Sequence, residues 1–105
     1  MRPIHRVRID KVRPALMLTR EGIRGHLNQL TFAVITSTAR GLATEVEVSR
    51  RNGLDHGSVV NLDLVQTVAL ADIGEQIGWF YPDQEMALRQ ALLHAYDLDL
   101  IDDDE

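Results

Sequence analysis

Two stretches of the chain carry side chains suited to holding a phosphate. The first is Lys11-Val12-Arg13-Pro14-Ala15-Leu16-Met17-Leu18, a charged turn that runs without a break into an apolar strand. Proline has no backbone donor and a fixed φ, so it suits the first residue of a strand, with the arginine before it aimed out of the sheet edge. A guanidinium is a planar fork that can bind two phosphate oxygens at once. The second stretch, Leu30-Thr31-Phe32-Ala33-Val34-Ile35, ends in the hydroxyl cluster Thr36-Ser37-Thr38 followed by Arg40-Gly41. A hydroxyl at that strand end can donate a further hydrogen bond to the same anion. We read the two strand ends as one site.

Other chemistries find less support. The chain has no cysteine, so neither a disulfide frame nor a thiolate metal site can form. Its four histidines make no spaced ligand pair, and no metal site is expected. His5 falls on the apolar face of its strand, His26 in a glycine-flanked turn and His94 on a late helix; only His56 sits in a loop among polar residues. For each, a structural or surface role outweighs catalysis.

With 105 residues and 45% hydrophobic side chains, the chain predicts one domain over residues 1–98 and an acidic tail over 99–105. Residues 1–51 hold ten basic residues against four acids, whereas residues 52–105 hold Arg89 against twelve acids. The net charge of −5 therefore hides a basic first half to which a polyanion could bind. No apolar signal segment stands near the start, and no run is long enough to span a bilayer, so a cytoplasmic protein without membrane contact is expected.

The elements that must position the site follow from periodicity. His5, Val7 and Ile9 alternate with Arg6 and Arg8 in a half-buried strand, and Asp10 to Val12 is short enough to make a hairpin with the next one. Glu21 to Leu27 has room for two helical turns, weakened by Gly22 and Gly25. The run Leu30 to Ile35 reads as a central strand covered on both faces. Leu42 to Val48 alternates as a strand with one wet face, and Ser58 to Leu62, Val65 to Val68 and Gln76 to Tyr81 supply further short strands. A helix is expected from Pro82, with Leu88, Ala91, Leu92 and Ala95 on its apolar side. The fold class is therefore mainly β with α: a small bent antiparallel sheet, SH3-like in the broad sense, with a C-terminal helix.

Several segments, in this order and spacing, resemble the MazF/PemK family of toxin endoribonucleases. They are Ile9-Asp10-Lys11-Val12-Arg13-Pro14, Ile35-Thr36-Ser37-Thr38 with Arg40-Gly41-Leu42-Ala43-Thr44-Glu45-Val46, Ser58-Val59-Val60-Asn61-Leu62-Asp63, and Gln66-Thr67-Val68. The resemblance runs from Ile4 to Leu98. It implies a barrel of the MazF/PemK/CcdB type and a homodimeric, metal-independent enzyme without cofactors. Such an enzyme cuts single-stranded RNA (mRNA, tRNA or rRNA) and is restrained by a cognate MazE-like antitoxin. Catalytic roles carry over to Arg13 and Thr36. Groove positions that would contact RNA carry over to Lys11, Ser37, Thr38, Arg40, Asn61, Asp63 and Gln66, and Arg6 and Arg8 add candidate phosphate contacts. Many relatives have a longer first loop with an acid before the arginine, here pared to Asp10-Lys11-Val12, and many have tryptophan where His5 stands.

Metal-free RNA cleavage sets three tasks: removing a proton from the 2′-hydroxyl, stabilising charge on the phosphoryl oxygens, and protonating the departing 5′-oxygen. Arginine suits the second task and is a poor base, because guanidinium stays protonated. Two rival readings are a CcdB-like gyrase poison and an inactive relative that only binds RNA or antitoxin. Apolar faces on both sides of Leu30 to Ile35 and the aromatic run Trp79 to Tyr81 favour a homodimer.

Overall fold

Six strands form a single antiparallel sheet in the computed structural model, which describes residues 1–98. The strands are β1 (Arg2–Arg8), β2 (Val12–Met17), β3 (Gln29–Thr36), β4 (Glu45–Val48), β5 (Ser58–Ala69) and β6 (Ile73–Phe80), followed by the helix α1 (Glu85–Ala95). Their order across the sheet is β4-β5-β3-β2-β1-β6. The expected tail, 99–105, lies outside the described residues.

Bulges curl this sheet into a half-barrel. Ala33 pairs with Val65 but the next residue, Val34, pairs with Asn61, so Leu62, Asp63 and Leu64 are extra on the β5 side. Register also slips twice between β1 and β6, between Ile4 and His5 and again before Val7. An extra residue on one strand bends it and raises its twist, which is how a short sheet closes on itself. What read as two strands, 58–62 and 65–68, is thus one strand with a bend in it.

Both faces of the sheet are covered within the one chain. One face buries Ile4, Leu16, Ala33, Ile35, Val60, Leu62 and Phe80 under Leu88 and Ala91 of α1. The other buries Val7, Ala15, Met17, Leu30, Phe32 and Val68. The parity follows the strand period of two: Leu30 and Phe32 face one way, Ala33 and Ile35 the other. His5 joins the second face, its ring edge-on to Phe32 at 6.1 Å, and its Nδ1–H donates to the Gly74 carbonyl at 2.9 Å.

Several boundaries differ from expectation. The strand predicted from Leu42 begins only at Glu45, whose carboxylate turns back to accept the backbone N–H groups of Arg40, Gly41 and Leu42. Gly41 takes φ +72° there, and Leu42 is left exposed. Glu21–His26 forms a 3-10 helix with no buried residue, the glycines being too costly for a regular helix. Pro82 opens a 3-10 turn, and the α-helix proper starts at Glu85. Gln84 Oε1 accepts the Tyr81 N–H at 2.9 Å, the cap that Tyr81 itself could not supply. Past α1 the chain does not run straight into an extended segment. Asp97 takes φ +54°, with Leu98 N–H donating to Leu93 and Asp97 N–H to His94, the Schellman pattern that closes a helix. The aromatic run divides: Phe80 is fully buried, Tyr81 lies beneath the Arg51 guanidinium at 4.6 Å, and Trp79 stays exposed.

Candidate active site

The ladder between β2 and β3 holds only from Ala15↔Val34 to Met17↔Phe32. Continued one step further in each direction of travel it would set Pro14 beside Ile35, and one more would set Arg13 beside Thr36. The β2–β3 pairing stops short of those residues, while on its other edge β3 stays paired with β5 as far as Thr36↔Val59, so the ends of β2 and β3 part. Between them opens a cleft of about 310 Å³, lined by Lys11, Val12, Arg13 and Pro14 on one side and Ile35, Thr36 and Ser37 on the other. Pro14 is the third residue of β2, an inner strand, and not the first residue of its strand as expected. It is tolerated because the ladder to β3 has not yet begun there, so on that side a missing N–H removes no strand bond.

Arg13 is held by Asp10 through two parallel bonds, Nε to Oδ1 at 2.8 Å and Nη2 to Oδ2 at 2.9 Å. Asp10 Oδ1 also accepts the Lys11 N–H at 2.9 Å. The hydrogen bond from Arg13 holds the Asp10 carboxyl well below the usual carboxylate range, and the same bond pushes the Arg13 guanidinium up. Arg13 is therefore a fixed cation, suited to charge stabilisation and unsuited to proton removal. Thr36 Oγ1 accepts the Thr38 N–H at 3.2 Å, which leaves the hydroxyl hydrogen free to be donated into the cleft.

The far wall of the cleft is a loop, Gly53 to Ser58, with Ile77 beside it. It is clamped by Asn52, a fully buried polar residue whose amide is well engaged. Asn52 Nδ2 donates to the Trp79 carbonyl and to Gln84 Oε1, both at 2.8 Å, and Oδ1 accepts from Ser49 N–H and from Gln84 Nε2, both at 3.2 Å. Gly53 has φ +91°, and a Cβ there would collide with the Ile77 carbonyl. A Cβ on Gly78 would collide with the Asn52 carbonyl. Only glycine permits this backbone approach at both positions.

Of the residues expected to contact RNA, Arg6, Lys11 and Ser37 line the cleft with Arg13 and Thr36. Thr38 adjoins it through its bond to Thr36. Arg8 lines a neighbouring hollow with Arg6, Asp72 and Glu75. Its Nε stands 4.0 Å from Asp72, and Arg6 Nε stands 3.3 Å from Glu75. Arg40, Asn61, Asp63 and Gln66 do not line the cleft of the single chain. Asn61 Oδ1 accepts the Asp63 N–H at 2.9 Å, Asp63 accepts from the Thr44 hydroxyl at 2.7 Å, and Gln66 lies opposite Phe32, four residues along β3 from Thr36. Sequence reasoning missed the pairing of Asp10 with Arg13 and the wall formed by Leu54, Asp55, His56 and Ser58. The signal that could have revealed the wall is Asn52-Gly53, a step that demands a special backbone. Among the described residues no three His, Asp or Glu side chains gather as a metal site.

A curled antiparallel sheet with one covering helix, and an arginine and a threonine lining one cleft where two strand ends part, define a small β-barrel protein with a candidate site at that cleft. The chain belongs to the PemK-like, MazF-like toxins of type II toxin-antitoxin systems, whose family model matches residues 3–96. It is 52% identical over 101 residues to endoribonuclease MazF3 of Mycobacterium tuberculosis strain H37Rv, covering 96% of this chain and 98% of that protein. The solved Mycobacterium tuberculosis toxin MazF-mt6 superposes with a TM-score of 0.91 at 52% identity, over 92% of this chain and 98% of that one. A mycobacterial endoribonuclease solved in complex with its cognate antitoxin shares the fold, with a TM-score of 0.84 at 22% identity over 94% of this chain and 95% of that one.

Proposed function

We propose that this chain is the endoribonuclease toxin of a type II pair and cuts single-stranded RNA by attack of the 2′-hydroxyl on the adjacent phosphorus. The observation that carries the reading is the meeting of Arg13 and Thr36 at the cleft where β2 and β3 part. Arg13 exchanges Asp10 for two phosphoryl oxygens, and Thr36 donates to the same group. As the P–O2′ bond forms, the P–O5′ bond breaks. The 2′ proton leaves to a base, the 5′-oxygen gains one, and the products are a 2′,3′-cyclic phosphate and a 5′-hydroxyl. No metal takes part in this scheme. Lys11, Ser37 and Arg6 contact the flanking RNA within the cleft. Thr38, Arg40, Asn61, Asp63, Gln66 and Arg8 contact it where the strand leaves.

The toxin acts in the cytoplasm, where cutting mRNA, tRNA or rRNA halts translation, and no helix among the described residues is long and apolar enough to cross a membrane. It works as a homodimer restrained by a MazE-like antitoxin. The family match and the 52% identical endoribonuclease favour this reading over a gyrase poison. The test is cleavage of a single-stranded RNA in excess EDTA with the fragment ends identified. Cyclic phosphate and 5′-hydroxyl ends are expected; dependence on added magnesium, or 5′-phosphate ends, would overturn the mechanism.

A further inference from the structure

The cleft is more apolar than a phosphate site needs to be. A phosphate asks only for donors, and Arg13 and Thr36 supply them at one end. Val12, Ile35, Leu54 and Ile77 also line the space, and a phosphate has no use for them. At about 310 Å³ the cleft stands at the small end of ligand pockets, which run from about 300 to 1,000 Å³, so it has room for one nucleoside and not for a run of them. Flat apolar walls suit the faces of an unstacked base, and polar groups at their margin suit its edge.

The polar margin is the loop carrying Asp55 and His56. Its backbone is fixed: Arg50 Nε donates to the Asp55 carbonyl at 3.0 Å, the Ser58 hydroxyl donates to the His56 carbonyl at 3.3 Å, and Asn52 and Gly53 anchor it to β6. Its side chains are uncommitted. Two acids line or adjoin the cleft floor, and Asp10 is spent on Arg13, whereas among the described residues no hydrogen bond or ion pair engages the Asp55 carboxylate or the His56 ring.

Resting on the reading of Arg13 and Thr36 as the phosphate site, we propose that this cleft is a nucleoside pocket for the base next to the scissile phosphate, and that Asp55 selects cytosine or adenine over uracil. An ionised carboxylate only accepts hydrogen bonds. It can take one from the amino group of cytosine or adenine, and it repels the carbonyl that uracil presents at the same place. His56 supplies a face on which that base stacks.

A pool of RNAs randomised around the cut, digested by wild type and by Asp55→Asn, reads the preference base by base. Wild type should disfavour uracil at one position beside the cut. In Asp55→Asn, whose amide both donates and accepts, the ratio of cytosine or adenine to uracil at that position should fall about tenfold, with ratios at other positions unchanged. His56→Gln should raise KM more than it lowers kcat. An unchanged preference in Asp55→Asn overturns the pocket, as does a collapse of kcat at constant KM in His56→Gln, which would make that residue a proton carrier. Arg13→Lys is the separate check on the phosphate reading: it should slow every sequence alike, and if it does not, that reading fails on its own account.

Discussion

Asp10 grips Arg13 with the two-point geometry that a phosphate would use, so on the proposed mechanism substrate binding would exchange one anion for another on a pre-aimed fork. The value of the fork lies in its shape as well as its charge. Arg13→Lys keeps the charge and loses the second bond, and single-turnover cleavage should slow by roughly a hundredfold to a thousandfold, the usual loss for one oriented donor. A rate within a few fold of wild type would show that Arg13 is not central. The pair also leaves a mark on acid stability. Because the folded carboxyl of Asp10 lies below its unfolded value of about 3.9, its contribution is present in full above that pH and is lost as the pH falls through the folded value. Thermal melts should therefore show wild type and Asp10→Asn differing by a constant margin from pH 7 down to about pH 5, with the margin closing at lower pH. The margin should be small, since both side chains are open to solvent.

The loop that walls the cleft owes its position to an element far along the chain. Asn52 reaches Trp79 and Gln84, and Gly53 and Gly78 let two backbones touch. Gly78→Ala should force these backbones apart and cost about 1–3 kcal/mol in chemical denaturation, the range for overpacked cores. Asn52→Ala should cost a comparable amount by leaving the Trp79 carbonyl and the Gln84 side chain without their buried partner. Neither effect was visible in the sequence, because the partners stand 27 and 32 residues away. What was legible was local or periodic: the β1–β2 hairpin, the His5-Val7-Ile9 face, the doubly covered β3 and the helical spacing of Leu88 and Ala91. Arg13 and Thr36 stood out because each ends an apolar run with a phosphate-binding group. The turn at Leu42 was hidden because alternation continued through it while the Glu45 carboxylate captured the backbone. The bend in β5 was hidden because the three extra residues are defined only by the pairing with β3.

At the scale of the molecule, the basic first half and acidic second half are partly paired to each other. Arg2 meets Glu85, Arg6 meets Glu75, Arg8 lies near Asp72 and Arg51 meets Asp83. The cleft itself offers three cations, Arg6, Lys11 and Arg13, so its share of RNA binding should depend modestly on salt. Three phosphate contacts, from Arg6, Lys11 and Arg13, give a slope of log affinity against log salt of about −2, at about −0.7 per contact on a single strand. A dimer would rest on different ground from that expected, since Leu30 to Ile35 are covered within one chain. Exposed apolar side chains remain outside the cleft at Leu64, Leu70 and Trp79, between 39% and 49% exposed, and light scattering at micromolar concentration should report twice the mass of the chain. An antitoxin segment that shuts the enzyme off has one economical place to bind. A cleft lined by Arg13 together with Val12, Ile35 and Leu54 should accept an acidic and apolar peptide, folding as it binds, by the contacts proposed for a nucleotide. Antitoxin and RNA should then exclude each other. In a fluorescence titration, an antitoxin peptide should displace labelled RNA from a cleavage-dead Thr36→Val variant, with a midpoint that rises in proportion to the RNA present. Saturating binding of the peptide with the RNA still in place would show that inhibition works from another surface.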